Sequence, residues 1–145
     1  LPPASTAAVN ECVKIVQEEP WHLENLWKNA RKMQKALKAM GYNTLGSKTP
    51  IIPLLIGDSY KSYAFTKELF ERGVFATPVA APAVPNGCAL IRTSYMAAHT
   101  EKDLDFVLDV LNDLGHKYGV LGRSAEMEET FRLAAAHFGD RAVNA

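Results

Sequence analysis

The sequence has 145 residues, of which 48% are hydrophobic and 22% charged, and its 16 basic residues balance 16 acidic ones. This length fits one domain, and the zero formal net charge provides no long-range field that would steer the chain onto nucleic acid or anionic lipid. The apolar stretches are too short to cross a bilayer, so no membrane span is predicted. Two cysteines without disulfide or metal spacing indicate free thiols, so a cytoplasmic location is predicted.

Two helices are predicted at the beginning of the chain, over 3–18 and 20–40. Prolines open both segments, at a position where the missing amide donor is not needed. Apolar residues then recur at helical spacing, most clearly through Met33 and Leu37 of the second segment. Gly41 follows directly and is typical of the left-handed residue that ends a helix.

Three strands are predicted in the middle of the chain. The first covers 51–57, where Pro53 indicates an edge strand or a bulge because proline cannot donate to a ladder. The second and third cover 74–79 and 88–94, and a proline-rich connection joins them. All three are short and rich in apolar or β-branched residues, which favours strands over helices.

Helices separate and follow these strands. A helix capped by Asp58 or Ser59 runs to about Arg72 and is closed by Gly73. Thr100 caps the next helix, with Asp103 three residues on as in a capping box, and a final amphipathic helix lies within 121–145. The resulting order of elements predicts an α+β fold, with a small, mostly antiparallel sheet of about three strands and helices on one face. One face of the sheet, or the first helix, would then be left for a partner domain.

Common catalytic and nucleotide-binding motifs are absent from the sequence, which contains no GxGxxG, GxxxxGK[ST], GxSxG or HExxH. The four histidines lack metal-ligand spacing, so no metal site is predicted. We interpret His99 as a residue that shapes the start of the helix after Thr100. Cys88 is interpreted as a core residue, because no base lies near it in sequence.

Arg92 is the strongest candidate for a binding residue. It ends the apolar run CALIR and is followed by the small polar residues Thr93 and Ser94. A guanidinium cannot shed its charge, and burying it unpaired costs on the order of several kcal/mol. Its planar fork can bind a carboxylate through two parallel hydrogen bonds. Spacing alone leaves two interpretations open, namely an anionic ligand or a salt bridge to an acidic residue of this chain.

A proline-rich loop lies directly upstream of the strand that carries Arg92. Its central residues are Pro82, Ala83, Val84 and Pro85. The prolines reduce the entropy of the unfolded chain, while the glycine that follows permits a turn. The loop is interpreted either as a lid over an anion site or as a rigid connector.

The stretch GVFATPVAAPAVPNGCALIRTSYMAAHTEKDLD (73–105) resembles the C-terminal domain of the α-oxoamine synthases, which are pyridoxal-phosphate enzymes of the aspartate-aminotransferase fold type. The family includes 8-amino-7-oxononanoate synthase, 2-amino-3-ketobutyrate CoA ligase, serine palmitoyltransferase and 5-aminolevulinate synthase. The resemblance continues upstream through PIIPLLIGD, the helix WHLENLWKNARKMQKALKAMGYNT and LPPASTAAV. It therefore divides the chain into a C-terminal small domain over 1–120 and a helical extension over 121–145.

The resemblance implies a role for each candidate residue. Arg92 would bind the carboxylate of the amino-acid substrate, and the family's mobile loop would correspond to Pro82, Ala83, Val84 and Pro85. Such enzymes condense an amino acid with an acyl-CoA thioester and release CO₂ to form an aminoketone, with pyridoxal 5'-phosphate as the electron sink. The parent enzyme would act as a homodimer. The sequence does not decide between substrate pairs such as alanine with a pimeloyl thioester, glycine with acetyl-CoA, and serine with palmitoyl-CoA.

The sequence also departs from the family pattern. The Schiff-base lysine, the aspartate that pairs with the pyridine nitrogen and the histidine that stacks on the ring belong to the large domain, and no lysine here lies in a comparable motif. We therefore expect a fragment without catalytic or cofactor-binding residues of its own, inactive alone and without covalently bound cofactor. A free-standing carboxylate-binding module and a structural interface domain are the alternatives.

Overall fold

The computed structural model describes residues 2–122 and 124–139, so residue 123 and the end of the predicted 121–145 extension lie outside the described part. Helices and strands follow one another in the predicted order. Their bounds are α1 (Pro3–Glu18), α2 (Trp21–Met40), β1 (Ile51–Gly57), α3 (Ser59–Glu71), β2 (Thr77–Val79), β3 (Ala89–Ser94), α4 (Glu101–Lys117) and α5 (Ala125–Phe138).

The three strands form one antiparallel sheet in the order β1-β3-β2. The central strand, β3, pairs with β1 from Ile51 opposite Ser94 onwards, and the ladder is interrupted by a bulge after Leu55. The edge position predicted from Pro53 is confirmed, because β1 lies at the border of the sheet. An edge strand has a side without a ladder partner, and this is where a proline is tolerated.

The second strand is shorter than the predicted 74–79, since only Thr77–Val79 pairs with β3. The residues before it complete the end of α3 instead. Gly73 adopts a positive φ of 85°, and the amide of Val74 donates to the carbonyl of Leu69 at 2.8 Å. This is the bonding of a Schellman motif, which uses the amides that follow a helix to satisfy its last carbonyls. The start of the predicted strand is therefore used to end the helix.

The hydrophobic core lies between the sheet and the helices. The side chains of α2, α3 and α4 that face it alternate with solvated ones at helical spacing, which is the arrangement that periodicity predicts. The largest fully buried members are Phe65, Met33, Leu37, Ile52, Leu54, Leu55, Ile56, Leu69, Ile91, Leu104, Leu111 and Leu114. The predicted α+β fold with a small antiparallel sheet is confirmed.

Helix α4 begins with the capping box that the sequence predicts. The Thr100 hydroxyl accepts the amide of Asp103 at 3.2 Å, and the Asp103 carboxylate accepts the amide of Thr100 at 2.8 Å. These reciprocal bonds satisfy two amides that the helix leaves without partners. The chain direction after β3 is therefore fixed where α4 packs against α2.

Helix α5 contributes to the same core as the other helices. Met127 and Ala134 are fully buried within it, and Thr130 packs on Gly57 at the end of β1. Leu133 lies against Gly87, at the end of the proline-rich loop. The final helix predicted from the amphipathic pattern therefore contacts both the sheet and the loop.

Helix α1 has the predicted bounds but buries no residue of its own. Its apolar side chains, which include Val9, Val13 and Val16, are exposed. Within the described part of the chain, no helix is both long enough and apolar enough to cross a membrane.

Candidate functional site

Arg92 lies on the central strand of the sheet, between Pro53 of β1 and Thr77 of β2. The predicted third strand, 88–94, already extends past Arg92, and this is confirmed because β3 covers Ala89–Ser94. The ladder continues through Thr93, whose hydroxyl donates to the carbonyl of Ile52 at 2.8 Å, and ends at Ser94. Two neighbouring strands therefore hold the backbone of Arg92 from both sides.

The alternation of β3 decides which way the Arg92 side chain faces. Ile91 and Thr93 are buried against the helices, whereas Arg92 and Ser94 are exposed. Successive residues of a strand point to opposite faces, and residues directly opposite in a ladder share a face. We call the exposed side the open face and define it by Ile51, Pro53, Thr77, Arg92 and Ser94.

The guanidinium of Arg92 has no acidic partner among the described residues. The ion pairs found there join other groups, for example Lys28 with Glu101 and Arg72 with Asp113. The salt bridge that the sequence left open as one interpretation is therefore not formed among the described residues. An unpaired fork on a rigid strand can bind a planar anion through two hydrogen bonds.

The proline-rich loop leaves the sheet at Val79, two residues after the position that faces Arg92. Turns fix both of its ends, since the amide of Ala83 donates to the carbonyl of Ala80 and that of Cys88 to Pro85, each at 3.0 Å. The exposed members are Pro82 and Ala83, and the half-buried ones are Val84 and Pro85. The loop thus begins at the end of β2, which pairs with the strand that carries Arg92, and it leads into that strand, β3.

His99 has the structural role that the sequence suggested. Its Nδ1 accepts the amide of Met96 at 3.2 Å. The side chain of Asn29, a buried residue of α2, donates to the carbonyls of Met96 and His99 at 2.9 Å each. Sequence reasoning missed Asn29, although a polar residue on an apolar helix stripe is a signal of this kind. These bonds fix the turn between β3 and α4.

The two cysteines differ in their surroundings. Cys12 is exposed on α1, while Cys88 is fully buried next to β3. Burial raises the pKa of the Cys88 thiol above its ordinary value, which keeps it protonated and a poor nucleophile. Among the described residues, no cluster of three or more His, Cys, Asp or Glu side chains could hold a metal ion.

Pyridoxal phosphate, the cofactor implied by the resemblance, does not fit the described residues by themselves. A covalent site needs a lysine amine inside a pocket, whereas none of the described lysines is buried. Several are bound to carboxylates instead, such as Lys117, which donates to Glu68 at 2.6 Å. The described part of the chain therefore combines an exposed arginine on the sheet with lysines that all reach the surface.

The family model for aminotransferase class I and II matches residues 1–111. A serine palmitoyltransferase from Bacteriovorax stolpii is 52% identical over 110 residues, which are 76% of this chain and 26% of that protein. An 8-amino-7-oxononanoate synthase from Thermosipho melanesiensis is 44% identical over 121 residues, or 83% of this chain and 31% of the relative. The chain thus spans about a quarter to a third of the length of these relatives.

Solved structures agree in fold. A high-resolution structure of SPT with PLP has a TM-score of 0.76 at 29% identity and covers 83% of this chain and 31% of that one. An 8-amino-7-oxononanoate synthase from Francisella tularensis has a TM-score of 0.68 and covers 81% of this chain and 35% of that one. Because the two sequences are only 18% identical, this match supports the fold alone. Because the family model matches most of the sequence, the chain belongs to the aminotransferase class I and II family.

Proposed function

We propose that this chain is part of a pyridoxal-phosphate-dependent acyltransferase of the α-oxoamine synthase type, in which residues 1–120 form the C-terminal small domain and 121–145 a helical extension. Its relatives include serine palmitoyltransferase and 8-amino-7-oxononanoate synthase, which supports an acyl transfer to an amino acid. The whole enzyme would condense the amino acid with an acyl-CoA thioester, release CO₂ and form an aminoketone.

The observation that carries this proposal is the position of Arg92. Its guanidinium is exposed on the open face and has no acidic partner among the described residues, while its backbone is fixed between two strands. The substrate carboxylate would accept two hydrogen bonds from this fork. Hydrogen bonds to charged groups contribute about 1.5–3 kcal/mol each, so the contact is strong enough to orient a small amino acid.

The loop formed by Pro82, Ala83, Val84 and Pro85 would close over the bound amino acid. It leaves the sheet beside Arg92, and its two prolines, the exposed Pro82 and the half-buried Pro85, limit the number of conformations that it can adopt. Closure of such a loop excludes water from the reacting groups. In this proposal the loop acts on the same substrate that Arg92 holds.

The rest of the parent enzyme would cover the surfaces that this chain leaves unpartnered. The apolar side chains of α1, including Val9 and Val13, are exposed, and Ile51 is exposed on the open face. A large domain that holds the cofactor would bury this apolar area, which favours association at about 25 cal/mol per Å². The parent would be a cytoplasmic homodimer, and this chain would be inactive alone.

The proposal predicts a selective kinetic defect in the Arg92→Ala variant of the full-length parent enzyme. Losing the guanidinium should raise KM for the amino acid by about 10- to 100-fold, or about 1.4 to 2.8 kcal/mol, because solvent around the exposed Arg92 screens the two hydrogen bonds and leaves only part of their energy. KM for the acyl-CoA should stay within about twofold of wild type. Steady-state kinetics with each substrate varied in turn measures both values.

Arg72→Ala is the matched control, because Arg72 is also exposed but pairs with Asp113 at the end of α3. It should leave both KM values unchanged. Unchanged amino-acid kinetics in Arg92→Ala would instead favour a purely structural domain. Tight binding of glycine, serine or alanine to the isolated chain without cofactor would favour a free-standing carboxylate-binding module.

A further inference from the structure

Helix α5 contacts the downstream end of the proline-rich loop through one side chain. Gly87, which ends the loop, has a φ of 80°, and a Cβ built on it would lie 2.6 Å from Cδ1 of Leu133. Among the described residues, no other heavy atom outside Gly87 and its chain neighbours lies within 4 Å of that position. The contact between helix and loop at this point therefore depends on Leu133.

Helix α5 is itself held in the domain core. Met127 and Ala134 are fully buried among residues of the sheet and the other helices. On the side of β1, a Cβ built on Gly57 would clash with both branches of the Thr130 side chain, so only a glycine lets the helix lie this close to the end of the strand. The helix is thus fixed to the sheet independently of the loop, and Leu133 extends from a rigid element.

The rest of the loop is more open. Pro82 and Ala83 are exposed, and the turn that holds Ala83 joins residues of the loop itself, since its amide donates to the carbonyl of Ala80. A cavity of about 410 Å³ separates the downstream part of the loop from the start of α3, and the exposed Asn86 and Leu133 both line it. Leu133 is therefore a contact at the border of open space.

The position of this contact gives it leverage over the loop. Gly87 has no side chain and adopts a left-handed φ, so its backbone is free to absorb the dihedral changes of a moving loop. A side chain packed against it restricts those changes and so shortens the part of the loop that moves. The family model matches residues 1–111, so α5 acts on the loop from outside the matched region.

We propose that α5 anchors the downstream end of the proline-rich loop and that Leu133 is the positioning residue of this anchor. The exposed part of the loop, at Pro82 and Ala83, then moves while Gly87 stays in place. In the parent enzyme the anchor reduces the number of open conformations and so favours closure of the loop over the amino acid. This last step rests on the proposed function, whereas the anchor itself does not.

Hydrogen exchange of the full chain, followed by NMR, tests the anchor without any substrate. The Cys88 amide is the reporter, because it follows Gly87 directly and donates to the carbonyl of Pro85 at 3.0 Å. In Leu133→Ala this amide should exchange about 3- to 10-fold faster, since the loop end opens more often without the apolar contact. The amide of Ile91 in β3 should stay within about twofold of wild type. Equal acceleration of both amides, or of neither, would overturn the proposal.

Three further variants of α5 assign the effect to the Leu133 side chain. Leu133→Met keeps an apolar chain of similar length and should retain the wild-type exchange rate of Cys88. Leu133→Val, a milder truncation, should give an intermediate rate. Arg132→Ala is the matched control, because Arg132 is the exposed neighbour and pairs with Glu129 on the same helix. Exchange in Arg132→Ala as fast as in Leu133→Ala would contradict the assignment.

Kinetics of the full-length parent enzyme separate the anchor from the proposed function of the loop. Leu133→Ala should raise KM for the amino acid about 2- to 5-fold, because apparent affinity falls with the fraction of molecules whose loop can close, and Leu133→Met should restore it. Faster Cys88 exchange with an unchanged KM would support the anchor and contradict closure of the loop over the substrate. A raised KM without faster exchange would contradict the anchor.

Discussion

At the scale of single residues, the type of Arg92 was predictable from the sequence, but its surroundings were not. A charged residue inside an apolar run indicates a special site, because burying a guanidinium without a partner is costly. Whether an acidic residue meets it depends on the strand order, and β3 lies in the centre of the sheet although it is the last strand in the chain. Its role in binding a substrate carboxylate stays a prediction.

Tyr95 could not be recognised from the sequence at all. A tyrosine just after a strand is common, and nothing in the spacing shows that its hydroxyl is buried without a partner. Only the packing of α3 and α4 around the end of β3 creates that situation. The contribution of this hydroxyl to the free energy of unfolding can be tested by removing it.

Tyr95→Phe should leave the free energy of unfolding unchanged or raise it by about 1 kcal/mol, because it removes a buried hydroxyl that makes no hydrogen bond. Tyr42→Phe is the matched control. The Tyr42 hydroxyl donates to the carbonyl of Leu111 at 2.7 Å, and its loss should cost about 1 kcal/mol. Urea denaturation of both variants measures the difference. An equal destabilisation of the two would show that the Tyr95 hydroxyl is bonded in solution.

At the scale of elements, helix ends were predicted well because their signals are local. Gly73 and the Thr100 capping box act through bonds within a few residues. The second strand was predicted too long because Val74 is strand-like by composition, yet its amide closes α3. Strand propensity describes a residue in isolation, whereas the amide of Val74 bonds to the carbonyl of Leu69 in the helix and not to a neighbouring strand.

The contact between α3 and α4 should depend on pH through Glu68. Its carboxylate accepts hydrogen bonds from Lys117 at 2.6 and 2.7 Å and from the Tyr118 hydroxyl at 2.6 Å. These bonds, with that of Lys117 foremost, lower the pKa of Glu68 below its ordinary value of 4.5. A lowered folded-state pKa gives stability that is present above the unfolded-state pKa and is lost as the pH falls through the folded-state value.

Glu68→Gln should therefore lower the free energy of unfolding at neutral pH and flatten its decrease between about pH 5 and pH 3. Denaturation at a series of pH values measures this slope. Glu71→Gln is the control, because Glu71 makes only a long 3.8 Å pair with Lys67 on the same exposed helix face. A Glu68→Gln profile parallel to that of wild type would rule out the linkage.

At the scale of the whole molecule, the sequence predicted the α+β fold and the order of its elements, since periodicity and turn residues are enough for that. It left open whether the final helix packs on this domain or on a neighbouring subunit, and the structure buries Met127 and Ala134 of α5 among residues of the sheet and the other helices. That depends on contacts with Gly57 and Gly87, which are distant in sequence from α5.

The isolated chain should form no specific adduct with pyridoxal phosphate, since none of its described lysines is buried. After borohydride reduction, mass spectrometry of digested protein should find scattered labelling of exposed lysines at low occupancy. A sample of the same chain unfolded in guanidinium chloride at the same pH sets the level of non-specific labelling. Stoichiometric labelling of one lysine in the folded chain would contradict the fragment interpretation.

The role of Arg92 is tested most directly by comparing ligands with and without a carboxylate. In the full-length parent enzyme, the dissociation constant of the best-bound amino acid among glycine, alanine and serine is measured together with that of the amine lacking its carboxylate. Wild type should prefer the amino acid by about tenfold or more, and Arg92→Ala should reduce this preference to about one through weaker binding of the amino acid alone. An unchanged preference in the variant would contradict a role for Arg92 in binding the substrate carboxylate.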